Sequence, residues 1–246
     1  AHAVRSGGRV VYAGAGTSGR LSVLDASEVP PTFGCNAFEA IIAGGDEAIR
    51  CAVEGAEDDS VAGACQGREL SDRDMAVGIS ASGKTPFVLG FLEAAKGRGA
   101  KCWLVTSESI EADMPDKTKN LDGKIVLDTG AELIAGSTRM KAGTAQKMAL
   151  NMLSTATMIR LGGTYDGLMV DVTPTNAKLK KRALGIIMEI AGCPIDVAAK
   201  ALEGAGMSPK LAALMLKGGL DRDKAEQALE RSEGSLRAAF KRIDKG

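Results

Sequence analysis

Short apolar runs rich in Val, Ile and Ala recur along the first half of the chain. Each is followed by a turn rich in Gly, Ser or Thr and then by a stretch with helical spacing. Arg9–Ala13 (RVVYA), Phe38–Ala43 (FEAIIA), Met75–Ser80 (MAVGIS), Lys101–Thr106 (KCWLVT) and Lys124–Leu127 (KIVL) read as strands. Helices are predicted between them at Ser18–Ser27, Glu47–Glu54, Pro86–Arg98 and Glu111–Asp116. This alternation implies right-handed crossovers and a doubly wound α/β domain, its parallel sheet covered on both faces. In such sheets ligands bind beyond the carboxyl ends of the strands.

The second half is helical. A long helix is predicted from Thr138 to Leu161, with Met148, Met152 and Met158 spaced for a buried stripe. Another helix follows Pro174 and is broken at Gly192-Cys193-Pro194. Short helices are then expected at Ile195–Glu203, Lys210–Lys217, Asp221–Arg231 and Ser235–Arg242, with Gly204, Gly206, Gly218, Gly219 and Gly234 at their C-caps. The expected division is therefore an α/β domain over 1–191 and a small C-terminal helical module over 192–246.

Composition narrows the chemistry. In 246 residues, 31 Lys and Arg balance 31 Asp and Glu, which leaves no electrostatic footprint for nucleic acid or an anionic membrane. No apolar run is long enough to cross a bilayer. Cys35, Cys51, Cys65, Cys102 and Cys193 are scattered without a C-x-x-C pair, as expected of reduced thiols in a cytoplasmic protein. The sole histidine, His2, opens the chain and reads as a frayed end. Imidazole-based triads and zinc sites are thereby set aside, and acid–base work falls to carboxylates, lysines or hydroxyls.

Two turns compete for a phosphate. Gly14-Ala15-Gly16-Thr17-Ser18-Gly19 is a formal G-x-G-x-x-G, but no acidic residue closes the second strand as a dinucleotide site requires; Asp46 reads as a helix N-cap. Gly78-Ile79-Ser80-Ala81-Ser82-Gly83-Lys84-Thr85 matches the P-loop pattern, with Asp128 as a possible magnesium ligand. Against a nucleotide stand Gly78, embedded in the strand, and Pro86, which removes an N–H where the helix begins. Either turn could also be a plain strand-to-helix connection. Both share one chemistry: hydroxyls and glycine-freed N–H groups at a helix start form an anion cradle. Two such cradles, with Gly16, Thr17, Ser18, Ser80, Ser82, Gly83 and Thr85 as candidate ligands, suit a phosphorylated sugar.

The chain resembles the N-acetylmuramic acid 6-phosphate etherase family, built on the sugar isomerase (SIS) domain. The matching stretches are GAGTSGR at Gly14–Arg20, LDASEVPPTFG at Leu24–Gly34, IAGGD at Ile42–Asp46, AVEGAED at Ala52–Asp58, SGKTPF at Ser82–Phe87 and GSTRMKAGTAQK at Gly136–Lys147. NMLSTATMIR at Asn151–Arg160, Asn176–Leu179 and the terminal helices continue the likeness. The resemblance implies about fifty further helical residues ahead of this chain. It also implies a cofactor-free, metal-free lyase that cleaves the D-lactyl ether of its substrate by elimination and hydration, giving N-acetylglucosamine 6-phosphate and D-lactate.

By motif, the resemblance makes Glu28 the proton donor to departing lactate and Glu57 the base. Glu132 is similar to the acid that sugar isomerases place near substrate, and Ser137 follows it in the same loop. Relatives are dimers, so a homodimer is expected. An acid at neutral pH wants a desolvated pocket, which Val29, Pro30, Pro31 and Phe33 would supply. Lys84 departs from the family's usual Arg, and Thr106–Ser109 (TSES) from its usual Ser-Cys-Asn. A regulator of the glucokinase regulatory protein type, which shares the Gly14 and Glu57 motifs, is the rival reading; a sugar-phosphate isomerase is another. Glu28 favours the enzyme.

Overall fold

In the computed structural model, residues 1–108 and 118–243 are described; the helix expected at Glu111–Asp116 lies outside them. The five apolar runs form strands β1 (Val10–Gly14), β2 (Phe38–Ile42), β3 (Met75–Ile79), β4 (Lys101–Thr106) and β5 (Gly123–Val126). They pair in parallel in the order β2-β1-β3-β4-β5. In register, Gly14 pairs with Ile42 and Ile79, Ile79 with Val105, and Val105 with Ile125. The strands therefore end level, and their following loops share one edge. The chain leaves β1 toward β2 and returns to β3 on its other side, which makes the β1/β3 boundary the topological switch point.

Side chains alternate across each strand. Val11, Ala13, Ala76, Cys102 and Leu104 pack against Phe87, Val88, Phe91 and Leu92 of α5 (Pro86–Gly97). Gly78 belongs to this packing: a Cβ there would lie 2.6 Å from Val88 Cγ1. It is thus a packing glycine within a strand. On the opposite face, Tyr12 donates to Asp25 of α2 (Gly16–Phe33) at 3.0 Å. Asp25 also accepts from Asn151 and Ser154 of α6 (Lys141–Arg160). A buried carboxylate met by three neutral donors binds strand and both helices together.

Several elements differ from expectation. Helix α2 extends to Phe33 through Pro30 and Pro31, which lack the N–H groups for its last turn. Gly34, left-handed at φ 62°, closes that turn by donating its N–H to Pro30 O. The helix expected at Glu47–Glu54 is the single turn α3 (Glu47–Arg50), followed by a 3₁₀ turn at Ala56–Asp58 and by α4 (Ser60–Gly67). Asp59 caps α4 by accepting from the Ala62 N–H, a capping signal missed in the sequence. His2 is no frayed end: it opens the short helix α1 (His2–Arg5), its carbonyl accepting from the Ser6 N–H. The methionine stripe is also corrected. Met158 is buried, but Met148 and Met152 are 57% and 61% exposed, because α6 turns Ala142, Gln146, Leu150 and Ser154 inward instead.

The described residues divide into two compact units. One holds 2–28 and 36–154, with the sheet; the other holds 29–35 and 155–246. The second contains a hairpin, β6 (Thr164–Tyr165) and β7 (Leu168–Met169), turned by Asp166 and Gly167 with φ of 49° and 83°. Helices α7 (Ala177–Ala191), α8 (Ile195–Gly204), α9 (Pro209–Gly218), α10 (Arg222–Glu230) and α11 (Leu236–Ile243) follow. Helix α7 ends at left-handed Gly192. It lies ahead of the boundary expected at 191–192, and Ile186, Ile187 and Ile190 join Leu202, Leu211 and Leu214 in one core. Lys210, 7% exposed, is held by Asp171 at 2.6 Å and by Gly234 O at 3.0 Å. No helix among the described residues is long and apolar enough to cross a membrane.

Candidate active site

The two hydroxyl-bearing turns flank the switch point. Gly14 and Ile79 are register partners, so the turns start about 5 Å apart, one strand spacing. In the first turn, strand and helix meet without room for a side chain. A Cβ on Gly14 would lie 2.7 Å from Gly19 N, and one on Gly19 would lie 2.5 Å from Ile42 Cγ1. Gly16, left-handed at φ 52°, is exposed with open space around it, and Thr17 and Ser18 are half-buried beside it. These residues begin α2, where unpaired N–H groups favour an anion. The Ser18 hydroxyl donates to Gln146 Oε1 at 2.8 Å.

The second turn is a hydroxyl cluster. Buried Ser80 lies 2.8 Å from Thr85 Oγ1 and 3.4 Å from Ser82 Oγ. Ser82 Oγ accepts from the Lys84 N–H at 3.2 Å, and Gly83, at φ 69°, lets the loop curl so that its N–H reaches Ser80 O. Thr85 is the N-cap of α5 and Pro86 its first residue. Since Gly78 is sealed under α5 and Pro86 withholds an N–H, the P-loop likeness is a coincidence of letters. The neighbouring β4 loop closes over this turn: Ser107 N–H donates to Ala81 O, and Glu108 pairs with Lys84 at 3.7 Å. Ser107 Oγ is buried without a partner.

The carboxylates occupy different places. Glu57 is exposed on the 3₁₀ turn that follows β2, on the loop edge shared with both cradles. Glu132 is not a free base. It accepts from the Ala142 and Lys141 N–H groups at 3.0 and 3.1 Å, so it caps α6, and those bonds hold its carboxyl below the usual range. Half-buried Ser137 shares that loop, its N–H donating to Ile134 O. Glu28 is far away. Twelve residues along α2 from Gly16, it sits about 18 Å down the helix axis from its own cradle. It is exposed there, not enclosed in the expected desolvated pocket. The structure thus gathers Gly16, Thr17, Ser18, Ser80, Ser82, Gly83, Thr85 and the Glu57, Glu132 and Ser137 loops at one edge, and leaves Glu28 out. A dinucleotide is disfavoured here too: β2 ends at Ile42, and Asp46 stands at the start of α3 without making a side-chain cap bond.

Near the Glu132 loop the surface is apolar. Leu133 and Ile134 are 93% and 63% exposed, and Met140 and Met148 help line a cleft of about 550 Å³ with Arg139 and Thr144.

Residues 1–96 match the family model described as the glucokinase regulatory protein N-terminal SIS domain. An N-acetylmuramic acid 6-phosphate etherase of Clostridioides difficile is 48% identical over 98% of this chain and 80% of its own length. An N-acetylmuramic acid 6-phosphate etherase of Bacillus licheniformis matches at the same identity and coverage. Among solved structures, an E. coli protein crystallised with a bound ligand is 18% identical, with a TM-score of 0.47, over 65% of this chain and 74% of that one. The rival regulator reading is matched over the first 96 residues, whereas the etherases match over nearly the whole chain, Glu28 and Glu57 included. The chain belongs to the N-acetylmuramic acid 6-phosphate etherase family.

Proposed function

We propose that this chain is a carbon–oxygen lyase that cleaves the D-lactyl ether of N-acetylmuramic acid 6-phosphate, releasing D-lactate and N-acetylglucosamine 6-phosphate. The observation that carries this reading is 48% identity to etherases across 98% of the chain. A base removes the carbon 2 proton of the open-chain aldehyde. The lactyl oxygen leaves from carbon 3 as an acid protonates it, and water adds to the double bond so formed. All three steps are proton transfers that side chains can manage without a cofactor. The two hydroxyl cradles hold the phosphate and sugar hydroxyls. Glu57, on the same edge, is the base.

Glu28 is the acid, and its distance from its own cradle assigns it to another copy of the chain. The proposed assembly is a homodimer built on the exposed apolar face of α6, Met148 and Met152, with the Leu133–Ile134 loop. Covering by substrate and a second copy would give Glu28 the water-poor surroundings an acid needs. The five free cysteines agree with a cytoplasmic setting.

The test is release of D-lactate from N-acetylmuramic acid 6-phosphate by the purified chain. No lactate, from protein that binds N-acetylglucosamine 6-phosphate, would return the chain to the regulator reading.

A further inference from the structure

Gln146, on α6, is 1% exposed, and its amide nitrogen Nε2 is buried with no hydrogen-bond partner. Its Oε1 accepts from the Ser18 hydroxyl at 2.8 Å. A serine hydroxyl has one proton to donate, while phosphate oxygens only accept. With its proton directed at Gln146, Ser18 has nothing to offer an anion in the first turn. Both faults have one remedy. The amide oxygen and nitrogen are alike in size, so the side chain can turn over in place. Nε2 then donates to Ser18 Oγ, and the serine proton is released toward the turn.

We propose that Gln146 is the positioning residue of the first cradle: its amide nitrogen donates to Ser18 Oγ and aims the Ser18 proton at an acceptor oxygen of the bound sugar phosphate. The packing keeps the pair together. A Cβ on Gly143, one turn earlier on α6, would lie 3.2 Å from Thr17 Cγ2, so the start of α6 lies along the start of α2. This proposal rests on the reading of Gly14–Gly19 as a ligand cradle.

A double-mutant cycle tests it, with affinity for N-acetylglucosamine 6-phosphate measured by calorimetry. Gln146→Glu keeps the shape but only accepts, so it captures the Ser18 proton. Affinity should fall about 10- to 100-fold, with little change in the ligand-free melting temperature. In a Ser18→Ala background the same substitution should cost several-fold less, because its route through the hydroxyl is gone. Charge repulsion alone would cost the same factor in both backgrounds, and that result overturns the proposal, as does unchanged affinity for Gln146→Glu. If Ser18→Ala itself binds like the parent, the cradle reading fails first. Should Gln146→Glu not fold, Gln146→Met carries the cycle, with a loss of about 3- to 10-fold that again depends on Ser18.

Discussion

Ser80 Oγ lies 2.8 Å from Thr85 Oγ1, so the turn after β3 is joined side chain to side chain across its mouth. The pairing orders two donors that a phosphate can use without further loss of rotamer freedom. Thr85→Val keeps the shape and removes one hydroxyl. Affinity for N-acetylglucosamine 6-phosphate should drop about 10-fold or more by calorimetry. An unchanged affinity would take this turn out of the site.

Glu57 and Glu28 are separable by isotope and by mixing. Glu57→Ala should abolish both lactate release and entry of solvent deuterium at carbon 2, each by about 100-fold or more. Glu28→Ala should stop lactate release yet still admit deuterium. Because Glu28 is distant from its own cradle, co-refolding the two inactive variants should restore up to about a quarter of parental activity. Half of randomly formed dimers are hybrids, and each hybrid has one complete site. A mixture that stays inactive while hybrids form would place Glu28 in its own chain's site.

Exposed Met148 and Met152 lie one turn apart on α6. Met148→Glu with Met152→Glu should convert a dimer to a monomer by light scattering at micromolar concentration, and activity should fall with it. A parent that is itself monomeric would overturn the dimer.

Asp122 gathers Lys96 of α5 at 2.7 Å, the Cys102 N–H at 2.8 Å and Lys101 at 3.2 Å. Lys96 foremost, with those partners, holds its carboxyl down at about 2. A carboxylate depressed on folding stabilises the fold above its ordinary value near 4, and that stability disappears as pH falls through about 2. Asp122→Asn should lower the melting temperature at pH 7 by about 3–6 °C. The gap between variant and parent should narrow steadily below pH 4. A gap that is constant with pH would mean the carboxylate's charge contributes nothing.

Lys210 is the counterpart in the other unit. Burial raises the Asp171 carboxyl above its usual range even with Lys210 beside it. Lys210→Met should strand that carboxylate at a cost of about 2–3 kcal/mol, seen as an earlier chemical denaturation midpoint.

The sheet was legible because buried parallel strands are nearly uniform apolar runs, and RVVYA or KCWLVT has few other readings. The cradles were legible because glycine and hydroxyls at a strand-to-helix junction have a local cause. What failed was non-local. Spacing alone could not tell which face of α6 turns inward, since Met148 and Leu150 are both apolar; the tie between Asp25 and Ser154 decides it. The Glu28 motif named a residue without its distance from the site. Asp59 as an N-cap and Asp166-Gly167 as a hairpin turn did carry sequence signals, and were passed over.

The bonds from Ser18 to Gln146 and from Asp25 to Ser154 join residues 128 and 129 positions apart. Closing so long a span costs chain entropy early and returns it only when α6 docks. The first cradle is therefore completed late in folding, after the local β–α units have formed. A ligand held there stabilises contacts absent from the folding transition state. Sugar phosphate should accordingly slow unfolding of this chain while leaving its folding rate almost unchanged.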